Sequence, residues 1–200
     1  GRRFGFKIDG LRHRWLCEIA DPLALFPPSA FGFVYMNRRN VLEQAYSYAH
    51  AKRSGAWHRT RDGAPPATGP APAAITDREL WEELAIIYRH ESHLEGYFRD
   101  QALPVMRIDY EMMCASEAFV VADVMLAARR SLDEIGAALE SLRPRHMKID
   151  YDGSKTRRLL DFQVKYREQL GFLAGQRGRP LGDALRQFFA ALTGIDLASV

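Results

Sequence analysis

Hydrophobic and polar positions along the chain follow two patterns. Short apolar or β-branched runs, bounded by Gly, Pro or charged residues, predict buried strands at Phe4 to Ile8, Phe31 to Met36 and Val105 to Tyr110. Apolar residues recurring at steps of three and four predict helices at Val41 to Arg53, Asp77 to Gln101, Ser116 to Arg129, Leu132 to Leu142, Lys155 to Leu170 and Leu181 to Leu192. Strands separated by long helical crossovers are typical of an α/β fold with a parallel sheet flanked by helices.

Local signals set several boundaries. Thr76 followed by Glu79 is a capping-box arrangement and predicts a helix start there. The Pro-, Gly- and Ala-rich residues 62–75 predict a flexible loop, and Gly171 to Gly178 predicts a turn. With 47% hydrophobic residues, the 200-residue chain is expected to fold as one domain over residues 1–200.

The charge pattern favours a small anionic ligand over nucleic acid. The net charge is +3, but basic residues are interspersed with acidic ones, with local groups at Arg38-Arg39 and Arg157-Arg158. No apolar stretch is long enough to span a bilayer, and the N-terminal residues lack the apolar region of a signal peptide. We therefore expect a cytoplasmic protein without membrane contact.

No metal site and no disulfide framework are expected. Cys17 and Cys114 lie far apart, which fits a reducing compartment. His90-Glu-Ser-His93 differs from the zinc motif His-Glu-x-x-His because its histidines are three positions apart instead of four, with no evident third ligand.

The most informative segment runs from the strand at Phe31 to Met36, through Arg38 and Arg39, into the next helix. Ligands of open α/β sheets bind beyond the carboxyl ends of the strands. Ser47 lies about two helical turns after Arg39, close to the same face, so that the two side chains could grip a phosphate together. The alternative is that the arginines are solvated charges and Ser47 is a surface residue.

This segment resembles a known family. Arg38-Arg39-Asn-Val-Leu-Glu-Gln-Ala-Tyr-Ser47, followed by Gly55-Ala-Trp57-His58, is similar to the Arg-Arg-Asp-Lys-x-x-Gln-Ala-x-Ser and Gly-x-Trp-His signature of bacterial trehalose 2-sulfotransferase-like proteins. Asn40 and Val41 depart from its acidic and basic pair. Leu103-Pro-Val-Met-Arg-Ile-Asp-Tyr-Glu111 resembles its Pro-x-x-x-x-x-Tyr-Glu strand, and the resemblance covers about residues 4 to 130.

The resemblance implies a P-loop nucleotide kinase-like three-layer fold and sulfonate transfer from 3'-phosphoadenosine 5'-phosphosulfate (PAPS) to a carbohydrate or glycolipid hydroxyl, without a metal. It implies that Arg39 and Ser47 bind the nucleotide's 3'-phosphate, that Arg38 also contacts the nucleotide, and that Tyr110 approaches its adenine. Trp57 and His58 would border the sugar acceptor, and members of the family form dimers. A structural role at a strand end remains open for Tyr110, as does simple packing for Trp57 and His58.

One part of the family pattern is not found. The phosphosulfate-binding loop, with its backbone amides and hydroxyls, has no counterpart in the sequence, and a general base cannot be named. We expect this loop upstream of Gly1, because a sheet that began at Phe4 would leave strand edges uncovered. The alternative is a non-catalytic relic of the fold that binds nucleotide or glycan.

Overall fold

The computed structural model describes residues 7–55, 74–142, 153–195 and 197. Most of them are helical. In chain order the elements are α1 (Gly10–Ile19), α2 (Pro22–Leu25), β1 (Phe33–Asn37), α3 (Val41–Ser54), α4 (Asp77–Asp100), β2 (Val105–Asp109), α5 (Tyr110–Ala115), α6 (Glu117–Ala127), α7 (Leu132–Ser141), α8 (Gly153–Lys165), α9 (Arg167–Gln176) and α10 (Asp183–Thr193).

The chain divides into two compact units. The sheet unit comprises Gly1–Arg39 with His93–Asp150, and the core unit comprises Asn40–Ser92 with Tyr151–Val200. The helix α4 begins in the core unit, and its last residues, from His93 onward, belong to the sheet unit. The single domain over residues 1–200 stays a prediction.

The sheet unit contains the two strands, and they pair in parallel as predicted. Their register runs from Phe33 opposite Val105 to Asn37 opposite Asp109. Tyr35 is buried and packs against Phe98 with ring centroids 5.5 Å apart. The prediction of fully buried strands is wrong for β1. On the face opposite Tyr35, Val34 is 48% exposed and Met36 is 42% exposed. The observed fold is compatible with the α/β class, and its P-loop kinase-like type stays a prediction.

The predicted first strand, Phe4 to Ile8, lies largely outside the described residues. The two described members, Lys7 and Ile8, are not in a strand. Asp9 instead caps α1, because its carboxylate accepts a hydrogen bond from the backbone N–H of Arg12 at 2.8 Å. The sequence analysis predicted no helix over α1, α2 or α5.

The core unit is built from helices around a cluster of aromatic and aliphatic side chains. Trp81 is 2% exposed and packs against three aromatic rings. These belong to Phe162 of α8, to Phe188 of α10, and to Tyr166, which lies between α8 and α9. Large side chains with less than 2% exposure include Leu84, Leu173, Leu185 and Phe189. Burial on this scale stabilises helices that would be marginal in isolation.

The start of α4 confirms the predicted capping box. The Glu79 carboxylate accepts hydrogen bonds from the backbone N–H and hydroxyl of Thr76, and the Glu79 backbone N–H donates back to that hydroxyl. The predicted loop at residues 62–75 lies outside the described residues except for its last part. No helix in the described part of the chain is both long and apolar enough to cross a membrane.

Two predictions in the C-terminal region are corrected. The predicted helix at Lys155 to Leu170 is broken at Tyr166, whose hydroxyl donates a hydrogen bond to Asp77 at 2.9 Å. The predicted turn at Gly171 to Gly178 is helical as far as Gln176. The buried side chain of Leu173 explains the second correction, since its burial in the core outweighs the low helix propensity of the surrounding glycines.

Candidate functional site

The carboxyl ends of β1 and β2 bring two sequence segments together in the sheet unit. Because the strands are parallel and in register, the residues that follow them meet at one edge of the sheet. We call this group the strand-end site; it consists of Arg38, Arg39, Asp109, Tyr110 and Glu111. Three of these residues were predicted to bind the nucleotide.

Arg39 lies at the rim of the strand-end site. Its Nε and Nη2 atoms both lie 2.7 Å from Oδ2 of Asp109, and its backbone N–H donates to Oε2 of Glu111 at 3.0 Å. The side chain is nevertheless 62% exposed. The guanidinium is therefore held at the end of the sheet while remaining accessible to an anion from solution.

Arg38 occupies the inner part of the same site. Its guanidinium lies over the ring of Tyr110, 4.7 Å from the ring centroid, and its Nε is 3.9 Å from Oε1 of Glu111. Only 21% of the side chain is exposed. Glu111 thus contacts both arginine residues: Oε1 lies near the guanidinium of Arg38, and Oε2 accepts from the backbone of Arg39.

Tyr110 begins α5 and is half-buried. Burial raises the pKa of Tyr110, and a hydrogen bond to Cys114 acts in the same direction, so that the phenol is protonated at neutral pH. The nearby Arg38 guanidinium opposes this effect. The guanidinium and the ring therefore lie one above the other, and groups of both kinds can stack on a nucleobase.

The charges of the strand-end site balance, with two guanidinium groups facing two carboxylates. Asp109 and Glu111 therefore act as internal counterions that hold the arginine side chains in place. A phosphate that binds Arg39 would either share the guanidinium N–H donors of Arg39 with Asp109 or displace the Asp109 carboxylate from them. The sequence analysis did not assign a counterion role to Asp109, the last residue of β2, which the parallel pairing places opposite Asn37 at the end of β1.

The structure leaves three other predicted site residues untested. Ser47 lies in α3 of the core unit, where its hydroxyl donates to the backbone carbonyl of Glu43 at 2.8 Å. Trp57 and His58 lie outside the described residues. The predictions for Ser47, Trp57 and His58 therefore stay predictions.

The basic pair Arg157-Arg158 lies in α8 of the core unit. In the core unit Arg158 donates to the backbone carbonyl of Ile75 at 2.8 Å and to Oδ1 of Asp77 at 2.5 Å. These bonds join α8 to the N-terminus of α4, which is a structural role.

A separate group of chemically reactive side chains, His13, Cys17 and His93, lies within the sheet unit and was not predicted. His13 and Cys17 are four residues apart on α1, a spacing that places both on one helix face. The sequence analysis missed the pair because it predicted no helix there.

Comparison with known proteins identifies one family. A family model described as Stf0 sulphotransferase matches residues 26–149, which is well over half of the chain and includes both strands and all five residues of the strand-end site. No curated protein and no solved structure matches the chain.

Proposed function

Because the chain belongs to the Stf0 sulphotransferase family, we propose that it transfers a sulfonate group from PAPS to a hydroxyl of a carbohydrate or glycolipid. The observation that carries this proposal is the strand-end site, where Arg38 and Arg39 follow one strand and Tyr110 follows its parallel neighbour. A site with exposed guanidinium and an adjacent aromatic ring suits a nucleotide that carries a phosphomonoester.

In this proposal each side chain of the site has a definite task. Arg39 binds the 3'-phosphate through its exposed guanidinium, with Asp109 and Glu111 orienting it. Arg38 adds positive charge from the inner position and holds the ring of Tyr110, beside which the adenine lies. Ser47 adds a hydroxyl donor to the phosphate, and Trp57 with His58 borders the acceptor sugar.

The chemical step is an in-line displacement at sulfur. The acceptor hydroxyl oxygen forms a bond to sulfur while the bond from sulfur to the phosphate oxygen breaks, leaving 3'-phosphoadenosine 5'-phosphate. The hydroxyl proton passes to a general base, which is not assigned to any residue of this chain. Negative charge grows on the departing phosphate, so that positioning and positive charge account for most of the catalysis.

Calorimetric titration with 3'-phosphoadenosine 5'-phosphate tests the binding site. Replacing Arg39 by alanine removes charge-assisted hydrogen bonds to the phosphate and should weaken binding by about 1.5 to 3 kcal/mol, roughly 10- to 150-fold. Arg99 is a matched control, because it is also an exposed arginine of the sheet unit in an ion pair, with Asp100. Equal affinity of the Arg39→Ala and Arg99→Ala variants would contradict the assignment of the phosphate site.

Transfer of labelled sulfate from PAPS to a panel of sugars and glycolipids tests the activity. Sulfated product from one of these acceptors is expected. Nucleotide binding without transfer to any acceptor would instead indicate the non-catalytic alternative.

We further propose that the protein acts in the cytoplasm, as a homodimer and without nucleic acid.

A further inference from the structure

Three side chains with metal-ligating atoms converge within the sheet unit. His13 and Cys17 lie on successive turns of α1, and His93 lies on the part of α4 that belongs to this unit. The Nδ1 atom of His13 is 3.1 Å from Nε2 of His93 and 3.6 Å from Sγ of Cys17. All three ligand atoms lie within 4.8 Å of one another.

These separations are close to those of a tetrahedral zinc site. With bonds of about 2.0–2.1 Å to nitrogen and about 2.3 Å to sulfur, tetrahedral geometry requires about 3.3 Å between two nitrogen ligands and about 3.5 Å between nitrogen and sulfur. The two measured distances lie within a few tenths of an ångström of these values. The third pair, formed by His93 and Cys17, lies within 4.8 Å and would close to about 3.5 Å around an ion.

Hydrogen bonds alone do not account for both contacts of the His13 Nδ1 atom. The Nδ1 atom of a neutral histidine carries either one lone pair or one proton, yet Nδ1 of His13 faces two partners, a ring nitrogen and a thiol. His13 is only 8% exposed, so that water has little access to it. A cation at the centre would engage the lone pairs of all three ligand atoms at once.

Tyr97 packs against the group. It follows His93 by one turn of α4, and its ring meets that of His13 edge-on with centroids 4.5 Å apart. Among the described residues its buried hydroxyl oxygen has no hydrogen-bond partner. A buried polar atom without a partner is costly, and a metal-bound water beside it would supply the missing hydrogen bond.

We propose that His13, Cys17 and His93 bind a zinc ion, with Tyr97 beside the fourth coordination position. Two nitrogen ligands and one thiolate favour zinc over magnesium or calcium, which prefer oxygen. The ion would join α1 to the end of α4 and stabilise the sheet unit. This function is separate from sulfonate transfer, for which no metal is expected.

Cobalt substitution tests the site directly. The metal-free full chain, prepared with a chelator, should bind one equivalent of Co²⁺ and show the near-ultraviolet band of a sulfur-to-cobalt charge transfer, together with visible bands of tetrahedral cobalt. Zinc should displace the cobalt and abolish these bands. Cys17→Ser should remove the charge-transfer band, and His93→Ala should lower metal affinity at least about tenfold, the smallest effect expected for a ligand.

Two substitutions serve as matched controls. Cys114→Ser removes the other cysteine, and His90→Ala removes a histidine from the same helix, α4. Both variants should retain the cobalt spectrum, with circular dichroism confirming that every variant folds. The proposal is wrong if the wild-type chain binds neither cobalt nor zinc, or if Cys17→Ser retains the charge-transfer band. The wild-type titration tests the proposal by itself, so the test remains valid even if a variant does not fold.

Discussion

Asp77, the first residue of α4, accepts hydrogen bonds from three side chains of the core unit. Its carboxylate lies 2.5 Å from Nη2 of Arg158, 2.6 Å from Nζ of Lys165 and 2.9 Å from the hydroxyl of Tyr166. Burial acts to raise the pKa of Asp77, but these hydrogen bonds together outweigh it and lower the pKa to about 2. Asp77 also lies at a helix N-terminus, where negative charge is favourable.

This depressed pKa predicts a specific pH dependence of stability. A carboxyl whose pKa is lower in the folded state stabilises the fold above its unfolded pKa, close to 4, and loses that effect as the pH falls towards 2. At neutral pH, Asp77→Asn should lower the free energy of unfolding by about 2 kcal/mol. Urea denaturation should show the gap between wild type and variant narrowing between about pH 4 and about pH 2.

Asp161 is the matched control for this prediction. It is an exposed aspartate on α8 of the same unit, and Asp161→Asn should change the free energy of unfolding by less than about 0.5 kcal/mol. The difference in free energy of unfolding between wild type and Asp77→Asn could instead stay constant between about pH 4 and about pH 2. That result would mean that protonation of Asp77 does not cause the loss of stability in acid.

Individual residues show how far sequence reasoning reaches. The position of Arg39 at a strand end followed from the apolar run before it and from the resemblance to a sulfotransferase signature. Its ion pair with Asp109 joins residues 70 positions apart, and it depends on the pairing of β1 with β2. Partners of this kind are set by tertiary structure, and a single sequence does not encode them in any local pattern.

At the scale of elements, α9 gives the clearest contrast between local propensity and packing. Glycine disfavours helix, which is why the stretch from Gly171 to Gly178 predicted a turn. In the structure the helix continues past Gly175 and ends near Gly178, which has the left-handed backbone angle φ of 72° typical of a helix C-terminus. The local signal was correct only at the helix end.

Alanine substitutions can separate these two kinds of glycine. At Gly175, inside the helix, an added Cβ meets no atom within 4 Å, so Gly175→Ala should raise the free energy of unfolding by roughly 0.5 to 1 kcal/mol. Gly178→Ala places a side chain on left-handed backbone and should lower it by about 1 to 2 kcal/mol. Thermal or urea unfolding of both variants measures the difference. If Gly175→Ala also lowered the free energy of unfolding, the result would favour the predicted turn over a helix at this position.

At the scale of the whole molecule, the family match covers only part of the hydrophobic core. The match ends at residue 149, while α8, α9 and α10 supply core side chains that include Phe162, Leu173 and Phe189. The alternation of strands and helices predicted the parallel pair and most helices of both units. It did not predict α1, whose ten residues show no strong segregation of apolar and polar positions, or the group formed by His13, Cys17 and His93.

The two units also differ in how much apolar surface they bury. Every residue of the main core cluster belongs to the core unit. Among the described residues, the buried apolar side chains of the sheet unit are Pro22, Tyr35, Ile108, Val120 and Ile135. A parallel pair of strands has little stability of its own and depends on packing against helices. The local free energy of opening should therefore be lower in the sheet unit than in the core unit.

Amide hydrogen exchange followed by mass spectrometry can measure this difference. Peptides covering residues 80–88 of α4, which contain Leu80, Trp81 and Leu84 at 2% exposure or less, should exchange most slowly. Peptides covering β1 and β2 should exchange several-fold faster although their backbone N–H groups are paired with each other. Zinc, if bound as proposed, should slow exchange in α1 and in residues 93–100, and leave residues 80–88 unchanged. Equal protection of the strands and of residues 80–88 in the metal-free protein would show that the limited burial in the sheet unit does not set its stability.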